Sequence, residues 1–89
     1  MQAIEFIGNL VADPTPKTTP TGVNVTSFTV AVTRAFKNAQ GDKVSDFFRV
    51  NAWRQQADFC AKYLTKGSKV YVRGELQPII FDGRARQLL

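Results

Sequence analysis

In the run Phe47-Phe48-Arg49-Val50-Asn51-Ala52-Trp53, the residues Phe47, Arg49, Asn51 and Trp53 fall at every second position. In an extended strand that spacing puts them on one face and Phe48, Val50 and Ala52 on the other. The second face is wholly apolar and suits a core. The first joins two aromatic rings to a guanidinium and an amide, which an interior does not accept without partners. Two further rings, Phe36 and Phe81, stand in polar connections, and cations lie around all four: Arg34, Lys37, Lys43, Arg49, Arg54, Arg73, Arg84 and Arg86. Rings of this kind offer any base a flat surface, roughly 1–3 kcal/mol for each base stacked, while cations along the same groove neutralise phosphates. The combination suits a single-stranded nucleic acid held without regard to base identity.

The charge is distributed to match. The 89 residues carry 12 Lys and Arg against 7 Asp and Glu, a net charge of +5. Residues 1–33 hold one cation and two acids, so the basic excess lies wholly after Thr33, where the exposed rings are. Histidine is absent and Cys60 is the lone cysteine. A Cys/His metal cluster or a His-assisted nucleophile cannot be assembled from such a set. Neither G-x-x-x-x-G-K-[ST] nor G-x-G-x-x-G occurs, so phosphate-loop nucleotide chemistry is not expected. The expectation is a binding protein with no catalytic residue, metal or cofactor.

The elements that must position these residues follow from periodicity. Residues 3–11 read as a first strand, with Gly8 marking a bulge or a close backbone approach. Asp13 to Gly22, with Pro14, Pro16 and Pro20, reads as a loop closing in a Pro20-Thr21-Gly22 turn. Val23–Thr33 is a second strand that turns Phe28, Val30 and Val32 inward, and Arg34–Asp46 reads as a long hairpin connection. Phe47–Trp53 is the third strand. Gln55–Lys66 has Ala57, Cys60, Ala61 and Leu64 at helical spacing before Gly67, which predicts a short helix. Lys69–Leu76 is a fourth strand, and Arg84–Leu89 a short fifth. The fold class expected is all-β: a five-stranded OB-fold barrel, with one short α-helix between the third and fourth strands. At this length one domain spanning residues 1–89 is expected.

Aromatic residues in a small β protein belong to the core by default, so Phe6, Phe28, Phe48 and Phe59 are assigned there, and Cys60 is read as a small buried hydrophobe. Lys17, Lys62 and Lys69 read from their own surroundings as ordinary solvated cations. A lone cysteine, polar residues Glu5 and Asn9 near the start, and no apolar run approaching the ~18 residues of a membrane helix give the expectation of a cytoplasmic protein without membrane contact.

Beyond these readings, the chain resembles the bacterial-type single-stranded DNA-binding proteins over nearly its whole length. The resemblance rests on an ordered set of blocks: Ile7-Gly8-Asn9-Leu10, Asp13-Pro14, Pro20-Thr21-Gly22, Phe28-Thr29-Val30-Ala31, Phe48-Arg49-Val50 and the stretch from Tyr63 to Gly74. It implies an OB-fold, homotetrameric assembly, and binding of single-stranded DNA in replication, recombination and repair. The family's stacking positions fall on Phe36, Phe47, Trp53 and Phe81, and Lys17, Arg49, Lys66 and Arg86 match its basic positions. Gln55 and Ala39 stand where lysine is usual, with Arg54 and Lys37 as neighbouring substitutes. The segment after the fourth strand is shorter than the family norm, and the family's C-terminal linker and acidic tip do not follow Leu89.

The expected function is therefore stacking on Phe36, Phe47, Trp53 and Phe81, with Arg34, Lys37, Lys43, Arg49, Lys66, Arg73, Arg84 and Arg86 lining an electrostatic groove. A dimer is compatible with the residue pattern as well as a tetramer. Two alternatives remain at this point: an accessory replication-restart or RNA-binding OB-fold factor, and an oligomerisation or protein-docking module whose exposed rings are interface anchors.

Overall fold

The computed structural model describes residues 2–81 and 84–88; for Phe36 and for residues 77–81 and 84–88 the description is of backbone alone. The elements are β1 (Ala3–Leu10), β2 (Thr15–Thr18), β3 (Asn24–Lys37), β4 (Lys43–Trp53), α1 (Gln55–Tyr63), β5 (Lys69–Glu75), β6 (Gln77–Phe81) and β7 (Arg84–Leu88). The first five strands form one antiparallel sheet in the order β2-β3-β1-β5, with β4 on the other edge of β3. Its five strands, with α1 between β4 and β5, make the architecture an OB-fold. The sheet is open, however. Among the described residues β4 and β5 do not pair, and a cleft between them is lined by Trp53, Phe59, Tyr71 and Arg73 among others. The β6–β7 hairpin forms a separate two-stranded sheet, and β7 comes close to β4.

The core lies where the alternation predicts. Phe28 and Val30 from β3, Val50 and Ala52 from β4 and Leu10 from β1 are buried, with Phe6, Val32, Phe48, Val70 and Val72 packed around them. Phe6 and Phe48 stack with centroids 4.6 Å apart and planes at 20°. Gly8 is the close approach expected of it: a Cβ there would run into the carbonyl oxygen of Ala31 and come within 2.7 Å of Val30 Cγ1. The Pro20 turn forms as read, with the Gly22 N–H donating to Thr19 O at 2.9 Å and Gly22 at φ 85°.

Several boundaries differ from the sequence reading. Thr15–Thr18 is a strand despite Pro16, because β2 pairs only with β3 and the missing donor of a proline is harmless on an edge. The expected 34–46 connection is mostly ladder. Arg34–Lys37 and Lys43–Asp46 extend β3 and β4, and the turn is confined to Asn38–Asp42. There Asn38 Oδ1 accepts the N–H groups of Gln40 and Asp42, and Gly41 adopts φ 81°. Polar composition reflected exposure on both faces, not irregular backbone. The helix stops at Tyr63, and Gly67 (φ 89°) serves the Thr65–Ser68 turn instead. Residues 77–81, read as loop, form β6.

Phe59 is the one misplaced core ring, with 58 % of its surface exposed. The buried side of α1 is set by Ala57, with Cys60 and Leu64 against the core. Position 59 stands about 200° around the helix from 57. It packs outside against Tyr63, ring centroids 5.0 Å apart and planes tilted by 46°.

Candidate nucleic-acid interface

The register of β3 against β4 builds one face, continuous from Val25 to Thr33 and interrupted by a register shift before Lys37. Going outward from α1, the facing pairs are Val25–Trp53, Ser27–Asn51, Thr29–Arg49, Ala31–Phe47, Thr33–Ser45 and Lys37–Lys43. Directly opposed residues share a side of the sheet, so this stripe is the face opposite to Phe28, Val30, Val50 and Ala52. Phe47 is 66 % and Trp53 47 % exposed, and Arg49 is exposed between them. At the rise of an antiparallel strand the two rings stand roughly 20 Å apart.

The polar groups between the rings are ordered. Ser27 Oγ donates to Asn51 Oδ1 at 2.7 Å, which uses the carbonyl of that amide and leaves its N–H donors as the remaining polar function. At the far end Lys37 and Lys43 oppose each other directly, an arrangement that like charges disfavour unless an anion lies between them.

Lys17 joins the stripe. It pairs with Val25, which pairs with Trp53, so Lys17, Val25 and Trp53 form a row across three strands. Its local sequence gave no sign of this, because the row exists only once β2 is recognised as a strand; the family resemblance pointed to it. Lys66 is tied in more remotely. Its N–H donates to Asp13 Oδ1 at 2.8 Å, and Gly67 N–H donates to Leu10 O at 2.9 Å, beside the pairing of Asn9 with Ala31, the residue opposite Phe47.

One predicted cation is engaged otherwise. Arg34 forms a two-bond fork with Asp46, Nε to Oδ2 at 2.9 Å and Nη2 to Oδ1 at 2.8 Å. That hydrogen bonding raises the guanidinium pKa and holds the Asp46 carboxyl below its ordinary value. Arg73 faces Glu5 in the β1–β5 register and lines, with Trp53, the cleft between β4 and β5. Beside it, Tyr71 donates its hydroxyl to Glu5 Oε2 at 2.5 Å, which raises the phenol pKa, and exposed Ile7 stands opposite Tyr71. This second face, with its exposed Ile7 and Tyr71, was not identified from sequence. The side chains of Phe36, Phe81, Arg84 and Arg86 lie outside the described residues.

Other chemistry finds little to work with. Burial raises the pKa of the Cys60 thiol, which keeps it protonated against the core. Among the described residues no three His, Cys, Asp or Glu side chains gather in a group able to hold a metal, and no helix is long and apolar enough to cross a membrane.

The chain is similar to known proteins along most of its length. The Single-strand binding protein family matches residues 1–87. A single-stranded DNA-binding protein of Bacillus cereus is 44% identical over 84 residues, covering 94% of this chain and 49% of the relative. Single-stranded DNA-binding protein 1 of Staphylococcus aureus is 44% identical over 82 residues, 92% of this chain and 53% of the relative. Single-stranded DNA-binding protein 2 of the same species is 45% identical over 79 residues, 89% of this chain and 57% of the relative. The chain spans about half the length of these curated relatives. On its own sequence and its match along almost every residue, the chain belongs to the single-strand binding protein family.

Proposed function

We propose that this protein binds single-stranded DNA without sequence preference, stacking bases on Phe47 and Trp53 and neutralising phosphates with Lys17, Lys37, Lys43 and Arg49. The observation that carries this reading is the single exposed face on which rings and cations alternate along β4. Every base has a π-face, so rings on a strand hold any sequence, and cations between them bind the backbone common to all. Phe36, Phe81, Arg84 and Arg86 extend the same groove in this proposal, with Lys66 and Arg73 as outlying contacts. The protein performs no chemistry on its ligand. In the cell this activity protects single-stranded DNA during replication, recombination and repair in the bacterial cytoplasm or nucleoid.

Titration with oligo(dT), followed by Trp53 emission, tests the proposal. Stacking on Trp53 quenches the fluorescence, and log affinity falls with log salt at about −2 to −4 for three to six phosphate contacts. Unquenched emission together with salt-insensitive binding would sink the reading. Competition by oligo(U) separates a DNA-binding from an RNA-binding protein, since the 2′-OH is what distinguishes them.

A second element of the proposal is self-association, as a homotetramer or a dimer. The exposed Ile7 and Tyr71, side by side on β1 and β5, support it, because adjacent apolar groups on an open sheet face are a common anchor between subunits. Mass measurement in solution, with Ile7→Glu as the disrupting variant, checks this independently of DNA binding.

A further inference from the structure

The outer part of the β3–β4 ribbon is an arm with no core of its own. From Arg34 to Asp46 none of the described side chains is fully buried, and only Val44, Ser45 and Asp46 are half-buried, so among the described residues little apolar packing sets the direction in which the arm points. The register also breaks there. Thr33 faces Ser45 and the next pairing is Lys37 with Lys43, so Arg34, Ala35 and Phe36 on β3 are spanned by Val44 alone on β4. Extra residues on one strand bend it and increase its twist, and the bend needs fixing if the cations beyond it are to stay in line with Phe47.

The Arg34–Asp46 fork lies at this break. Asp46 shares its side of β4 with Phe48 and Val50 and so lies on the reverse of the stripe that carries Phe47 and Arg49. Two parallel N–H···O bonds constrain orientation as well as distance, which a single ion-pair contact does not. Only the 3.3 Å contact between Thr33 Oγ1 and Ser45 Oγ adds a side-chain link nearby among the described residues.

We propose that Arg34 and Asp46 are positioning residues: their fork pins the bulge from behind and aims the Lys37–Lys43 end of the arm at the backbone of a strand stacked on Phe47. The proposal rests on the reading of that face as a nucleic-acid site. It reverses the sign that simple electrostatics gives to Asp46. An acid near a cationic groove repels DNA, so removing its charge should tighten binding; if it positions the arm, removing it weakens binding.

The experiment compares affinity for labelled oligo(dT), and its salt slope, among wild type, Asp46→Asn, Arg34→Lys and the exchange Arg34→Asp with Asp46→Arg. Asp46→Asn is expected to weaken binding by about 5- to 10-fold and to lower the salt slope by about 0.7–1.4, the loss of one or two phosphate contacts. Arg34→Lys keeps the charge, loses the fork, and is expected to behave alike. The exchanged pair restores much of the loss. Thermal melting of each variant guards against unfolding as the cause. Equal or tighter binding by Asp46→Asn, with wild type binding normally, overturns the positioning role alone. Failure of wild type to bind oligo(dT) overturns both this role and the function on which it rests.

Discussion

The hydroxyl of Thr26 donates a 2.8 Å hydrogen bond to the backbone carbonyl oxygen of Ala57, and each residue is 1 % exposed. This bond fastens α1 to β3 one position from the pairing of Val25 with Trp53, so the helix that follows Trp53 is held from the core side. Thr26→Val keeps the shape and removes the donor. It is expected to cost about 1–3 kcal/mol. In a domain of this size each kcal/mol appears as a fall of roughly 4–8 °C in Tm, readable by circular dichroism. Thr26→Ser, which keeps the hydroxyl, should lose markedly less.

Gly8 has no room for a side chain. A methyl group there meets backbone at Ala31, which cannot swing aside as the end of a long side chain would. Gly8→Ala is therefore expected to destabilise the fold by about 1–3 kcal/mol or to open the β1–β3 pairing, with denaturant titration as the measure. Stability equal to wild type would mean that the two strands separate more easily than their register implies.

Replacing the rings separates stacking from charge. Phe47→Ala and Trp53→Ala should each weaken oligo(dT) binding by about 5- to 150-fold, the range of 1–3 kcal/mol per stacked base. The salt slope should stay unchanged, because neither ring touches a counterion. The Trp53 variant removes the intrinsic fluorophore, so anisotropy of a labelled oligonucleotide is the suitable readout. Full affinity in both variants would refute stacking on β4.

The opposed lysines test the other half. Loss of both contacts in Lys37→Ala/Lys43→Ala is expected to lower the magnitude of the salt slope by about 1.4, at 0.7 per phosphate. Because like charges directly opposite each other destabilise a ladder, the same variant should melt no lower than wild type. A lower melting temperature would assign the lysines to the fold.

The fork also has a pH signature. The hydrogen bond from Arg34 holds Asp46 below its ordinary value of 3.8. A carboxylate so lowered contributes its stabilisation at all pH above the unfolded value and loses it as pH falls through the folded value. Between about pH 5 and 8 the difference in binding between wild type and Asp46→Asn should therefore be constant, and it should shrink only in acid. A difference that changes around neutrality would point to another titrating group.

Much of this was legible in the sequence because alternation reports faces directly. Phe28, Val30, Val50 and Ala52 inward and Phe47, Arg49 and Trp53 outward follow from period 2 alone, and so does the choice of β4 as the strand that presents the rings. What escaped was whatever depends on a partner strand. Lys17 takes its place only through Val25, and Arg34 is captured by a carboxylate twelve residues away. The ladder beyond Thr33 was hidden because a ribbon exposed on both faces has the composition of a loop. Phe59 was misassigned for a different reason: an aromatic residue is apolar on average, but the phase of α1 is set by Ala57, and a buried alanine gives only a faint signal.

The arm beyond Thr33 stands clear of the buried cluster that stabilises the rest of the protein. Elements without apolar burial open at small cost and independently of global unfolding. Fold stability and grip on the ligand are thus separable quantities in this chain. Substitutions in the arm can retune the second over a wide range while the melting temperature scarcely moves, so thermal screening alone would pass variants that have lost their hold.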